Sequence, residues 1–138
     1  MNRMTKYERY RKVLDALLEG HTWIEVDVKN FLHLNVEKLG FMNQVSIAHT
    51  RVQNGDLMSV PEVRFQMKAI EGIEMAWPVS YQDDQWAMYQ EIYHFDDKGQ
   101  IVAIDQRARR SVEDFVDVWF KNLKAQGFLK PENKTFNA

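Results

Sequence analysis

The apolar residues change their spacing twice along this chain, and the two changes leave few folds open. Tyr10, Val13, Leu14, Leu17 and Leu18 recur at helical intervals. From Ile24 the interval becomes two: Ile24, Val26 and Val28 alternate with Glu25 and Asp27, and Leu32, Leu34 and Val36 alternate with His33 and Asn35. Val112, Phe115, Val116, Trp119, Phe120 and Leu123 then return to helical spacing. A helix, a run of strands and a second helix bury their apolar faces most simply as two layers. The pattern predicts an α+β fold: a mainly antiparallel sheet of five to seven strands, built as a hairpin meander, with an N-terminal and a C-terminal helix packed on one face. A chain of 138 residues suits one core. Residues 1–130 are therefore expected to form a single α+β domain, and 131–138 a flexible C-terminal tail.

The helix ends carry their own signals. Thr5 and Glu8 have the spacing of a capping box, and Gly20 suits the left-handed position after the last turn. Ser111 is a good N-cap, with Glu113 and Asp114 in the first turn after it. Gly127 and Pro131 stop that helix. Helices are thus predicted over 5–19 and 111–126.

Between them, parity constrains the hairpins. Asn54-Gly55 is the strongest short hairpin signal. A plain two-residue turn there pairs Gln53 with Asp56 and, followed inward, Ile47 with Glu62, which splits the apolar residues between two faces. Shifting by one residue pairs Ile47 with Val63 and Val45 with Phe65. An odd-length loop or a bulge is therefore expected near 54–61, where Pro61 lacks a ladder donor. A turn at Asp83-Asp84 sets Tyr81 against Trp86, Val79 against Met88, Trp77 against Gln90 and Met75 against Ile92. It puts Trp77, Val79, Met88 and Ile92 under the helices, and Pro78, Ser80, Tyr89, Glu91 and Tyr93 on the other face. Asp96-Asp97-Lys98-Gly99 reads as a type I turn that brings Ile92 opposite Ile104.

Composition excludes several functions. The chain has no cysteine, which removes disulfides, thiolate nucleophiles and cysteine metal sites. A formal net charge of −2 offers no global attraction to nucleic acid, and Glu113 and Asp114 stand beside the basic cluster Arg107, Arg109 and Arg110. No apolar run approaches the roughly 18–20 residues that cross a bilayer. The N-terminal residues lead into a charged helix rather than an apolar leader, so a cytoplasmic protein is expected.

No catalytic residue set, cofactor motif or metal-ligand spacing is visible. His49, Asp56 and Glu62 flank one loop, but the shifted register sends His49 and Glu62 to opposite faces. The loop Asn54, Gly55 and Asp56 reads as a turn. Tyr89, Glu91 and Tyr93 share a face that the helices leave open, and tyrosines held on a rigid sheet are good anchors for a protein partner. His49, Tyr81 and Gln90 are the residues a pocket would use if the chain were instead a small enzyme or ligand-binding domain.

The stretch His49-Thr50-Arg51-Val52-Gln53-Asn54-Gly55-Asp56-Leu57-Met58, followed by Pro61-Glu62, resembles a bacterial domain family of unknown function carried mostly on plasmids, conjugative elements and phage-like regions. The resemblance continues through Trp77-Pro78-Val79-Ser80-Tyr81, Tyr89-Gln90-Glu91 and Gln126-Gly127-Phe128, covering roughly 22–129. Where an acidic residue often precedes the family's proline, this chain has Val60. The resemblance implies a small mobile-element accessory protein and assigns no catalytic residue. Two classes remain: a non-enzymatic module that binds a macromolecular partner, and the small enzyme or ligand-binding domain.

Overall fold

In the computed structural model, which describes residues 4–40 and 42–136, α1 (Lys6–Leu18) opens with the capping box its sequence announces. The Thr5 side chain accepts the Glu8 amide, and the Glu8 carboxylate accepts the Thr5 amide. Glu19 and Gly20 both take left-handed backbone and end the helix. Tyr10, Leu14, Leu17 and Leu18 are buried along one side, and Val13 packs beside them. Met1 to Arg3, part of the segment from which the lack of a leader is read, lie outside the described residues.

The strands that follow are β1 (Trp23–Val26), β2 (His33–Lys38), β3 (Gln44–Gln53), β4 (Asp56–Ile70), β5 (Ile73–Asp83) and β6 (Met88–Glu91). Each pairs antiparallel with the next, as the meander requires. β7 (Tyr93–Phe95) and β8 (Ile101–Ile104) form a separate two-stranded ribbon, and α2 (Gln106–Gln126) comes next. β9 (Lys134–Phe136) closes the main sheet, in the order β6-β5-β4-β3-β2-β1-β9. The α+β class, the antiparallel sheet and the two terminal helices stand as predicted.

The register runs in rows across the sheet. Ile24, Val36, Ile47, Val63, Tyr81 and Gln90 form one row, and Val45, Phe65 and Pro78 another; these face the helices. The predicted irregularity lies on β3 and β4. Gln53 pairs with Asp56 and Thr50 with Ser59, then Val60 and Pro61 together oppose His49, and Ile47 meets Val63 as parity demands. Tyr10, Phe65 and Phe120 bring both helices onto this face, with ring centroids 6.0 Å (Tyr10–Phe65), 5.7 Å (Tyr10–Phe120) and 5.6 Å (Phe65–Phe120) apart. Tyr7 reaches Glu113 and Tyr10 reaches Asp117, so α1 and α2 run side by side in the same direction here.

Five expectations need correction. The β5–β6 connection is the four-residue loop Asp84–Ala87, so Asp83 meets Met88 and Tyr81 meets Gln90. A bulge leaves Val79 unpaired between Ser80 and Pro78. It reverses the alternation, so Ala76 and Pro78 face the helices while Trp77 pairs with Gln66 on the outer face. Pro78 is tolerated because a bulge demands no ladder donor there. α2 begins five residues earlier than Ser111 predicts, because the Asp105 side chain caps the Ala108 amide at 2.9 Å and Ala108 extends the buried stripe. In the ribbon, Tyr93 rather than Ile92 stands opposite Ile104. Finally, residues 131–136 are not a frayed tail: Pro131–Asn133 form a single 3-10 turn, and Lys134–Phe136 pair with β1. Residues 137 and 138 lie outside the described residues.

Candidate functional site

Three places hold the residues singled out above. The first is the outer face, opposite the helices. Glu25, Asn35, Ala48, Glu62, Gln82 and Tyr89 form one row across it, and Trp23, Glu37, Ser46, Arg64, Ser80 and Glu91 the next. Tyr89 and Glu91 therefore share this face, and Tyr89 donates to the Glu91 carboxylate at 3.0 Å. Burial first, then the bond to Glu91, raises the Tyr89 phenol above its ordinary range. Glu62 accepts from Ser46 at 2.6 Å and lies 3.7 Å from Arg64. Tyr93 does not join them. The chain bends at Ile92, which is buried, and Tyr93 turns half-buried toward Arg109 and Glu113 of α2. The Tyr89, Glu91 and Tyr93 triplet is thus split by one residue's change of direction.

Sequence reasoning missed the side chains that take the place of Tyr93. Trp86, read as a helix-facing partner of Tyr81, lies in the Asp84–Ala87 loop and is 71% exposed. Asp84 pins that loop to β4: its carboxylate accepts the Ser59 amide at 2.7 Å and its amide donates back to the Ser59 carbonyl. The consecutive acids Asp83-Asp84 are the signal, since Asp83 caps the Gln85 amide within a wider turn and Asp84 caps the Ser59 amide of β4. Also missed is His33, whose two ring nitrogens face the carboxylates of Asp27 at 2.7 Å and Glu25 at 3.3 Å.

The second place is a hollow of about 230 Å³ lined by Tyr81, Met88, Gln90, Ser111, Val112 and Phe115. The third, about 360 Å³, lies on the other side of Phe115. Its walls include His49, Pro61, Trp119, Asn122 and Gln126. Tyr81 packs edge-on against Phe115 at 5.6 Å, Phe115 against Trp119 at 5.2 Å, and Trp119 against His49 at 5.4 Å. Tyr81 and Gln90 are therefore brought together, while His49 is walled off from them by two rings. His49 Nδ1 faces the carbonyls of Leu32 at 3.2 Å and His33 at 3.4 Å, so that nitrogen carries the proton and Nε2 is left as an acceptor. Burial lowers the imidazole's pKa and favours the neutral ring. Glu62 lies on the opposite face, as parity requires, and the Asn54-Gly55 turn stands at the far tip of the β3–β4 hairpin. Among the described residues no three His, Asp or Glu side chains gather as a metal-binding set.

A family model for a domain of unknown function matches residues 6–129. The chain belongs to the DUF6908 family. The match takes in both helices and the strands between them and stops before β9. No curated protein and no solved structure matches the chain. Within the family's span, segments distant in sequence meet at the hollows: His49, Pro61 and Gln126 line one, and Tyr81 and Gln90 the other. No helix among the described residues is long and apolar enough to cross a membrane.

Proposed function

We propose that this DUF6908 protein is a non-enzymatic interaction module, a cytoplasmic accessory protein of a plasmid, conjugative element or phage, which grips a protein partner with the β6 edge of its sheet. One observation carries the reading: Trp86 and Tyr89 are 71% and 58% exposed and three residues apart, one in the loop that leads into the outermost strand of the sheet and the other on that strand. Buried aromatic rings of this kind dominate interface energetics, and an unpaired strand edge offers a partner a row of backbone donors and acceptors. The anchors are pre-organised, because Asp84 ties the Trp86 loop to β4 and Glu91 orients the Tyr89 hydroxyl. The mobile-element setting rests on the likeness of the His49–Met58 stretch. An enzyme built from His49, Tyr81 and Gln90 is disfavoured by the Phe115 and Trp119 rings between them.

The test is affinity capture from the native host with the wild type and with Trp86→Ala/Tyr89→Ala, retained proteins being identified by mass spectrometry. A single partner held by the wild type and lost by the variant, at unchanged circular dichroism, supports the reading. Each truncation at a real anchor costs at least about 2 kcal/mol of binding. A partner kept by the folded variant overturns the assignment of this edge.

A further inference from the structure

We propose that β8 is the seam of a homodimer, pairing antiparallel with β8 of a second copy of this chain. Ile101-Val102-Ala103-Ile104 is exposed at all four positions, with Val102 at 63%, although every residue is apolar. Among the described residues β8 pairs only with β7, in a ladder whose bulge leaves Val102 without a partner, and the ribbon belongs to no larger sheet. A two-stranded ribbon is marginal by itself in water, and an exposed apolar strand with a free edge is a template for another strand. Pairing two copies makes a four-stranded β7-β8-β8-β7 sheet and withdraws the apolar strand from solvent.

Charge selects a second copy as the occupant. On its N-terminal side β8 is preceded by Asp96, Asp97 and Lys98 of the ribbon turn, a net acidic end; on its C-terminal side it is followed by Asp105 and then Arg107, Arg109 and Arg110 of α2, a net basic end. Asp96, Asp97, Arg107 and Arg110 are exposed, and none takes part in an ion pair among the described residues. Antiparallel pairing lays the acidic end of one strand beside the basic end of the other, and two-fold symmetry makes that contact twice. A two-fold axis perpendicular to the sheet demands an even register. Centred on Ala103, that register sets Val102 of each copy opposite Ile104 of the other. This surface is separate from the Trp86 and Tyr89 edge, so either can fail without the other.

Sedimentation velocity of the full chain reads the oligomeric state, and Val102→Lys tests the seam. The wild type is expected to be a dimer, and Val102→Lys a monomer with unchanged circular dichroism, since Val102 touches no core. The absence of cysteine makes a second test clean. Ala103→Cys places one thiol per copy on the two-fold axis and is expected to form a covalent dimer under copper–phenanthroline oxidation. The same cysteine combined with Val102→Lys is expected to stay monomeric. A monomeric wild type, a dimer indifferent to Val102→Lys, or failure of Ala103→Cys to cross-link overturns the proposal.

Discussion

Tyr10 of α1 donates its phenolic hydrogen to Asp117 of α2 across 2.6 Å, while the carbonyl of Glu113 lies 3.2 Å from the same oxygen. The phenol has one proton, and the carboxylate takes it. The bond ties the first helix to the last, and burial followed by the bond to Asp117 pushes the Tyr10 pKa far up. Tyr10→Phe keeps the ring against Phe65 and Phe120 but strands Asp117. The expected loss is about 1–3 kcal/mol, read as a lower urea midpoint at constant m-value.

Tyr7 makes the fold sensitive to alkali. Burial first, then the 2.8 Å bond to Glu113, raises its pKa to about 12 from an ordinary 10.0. The neutral phenol is the form the folded state prefers. Its contribution is complete below pH 10 and is lost as pH rises through about 12. The stability advantage of the wild type over Tyr7→Phe should therefore shrink between those values, as followed by urea denaturation at a series of pH values.

Two tryptophans should behave oppositely. Trp119 is 6% exposed and packs on His49, Phe115 and Phe120. Trp119→Ala is expected to cost about 3–5 kcal/mol. Trp86→Ala, on an exposed loop, should change stability by no more than about 0.5 kcal/mol. Equal thermal midpoints for the two variants would contradict the packing described.

Gly55 sits at φ +84° in the two-residue turn that starts the β3–β4 register. A Cβ there meets no atom within 4 Å, so the cost of Gly55→Ala is backbone strain alone, about 1–2 kcal/mol. Chemical denaturation measures it, and the core-facing pairs Ile47–Val63 and Val45–Phe65 should persist in the variant's amide-exchange pattern.

Lys134 holds the C-terminal strand to α1. Its side chain is fully buried, donates to the Ala16 carbonyl at 2.7 Å and lies 3.4 Å from Glu19. Lys134→Met leaves an unpaired carbonyl at the helix C-terminus and should cost about 1–3 kcal/mol. Hydrogen exchange should then rise at β9 and in the last turn of α1, while β4 stays protected.

What was legible in the chain depended on how local its cause is. The Thr5–Glu8 box lies within one turn, and parity on β3 and β4 demanded an odd-length loop or a bulge near 54–61; that it is a bulge opposite His49 came from the structure. Asp105 and Ser111 are comparable caps, and the choice between them came from Ala108 finding a place in the core. The β5 bulge was not read from the chain, and only the match of Phe65 to Pro78 shows that Val79 is left over.

The candidate site divides along the same line. Alternation along the chain by itself determined that Tyr89 and Glu91 share a face away from the helices and that His49 and Glu62 part company, because side chains on a strand must alternate. Only the tertiary structure decided the rest. Tyr93 leaves that face because the chain bends at buried Ile92, and β9 exists because β1 has a free edge within reach of the C-terminus. Phe115 and Trp119 separate His49 from Tyr81 because α2 crosses the sheet there. These outcomes depend on where one layer comes to rest on the other, and no residue's local preference carries that information.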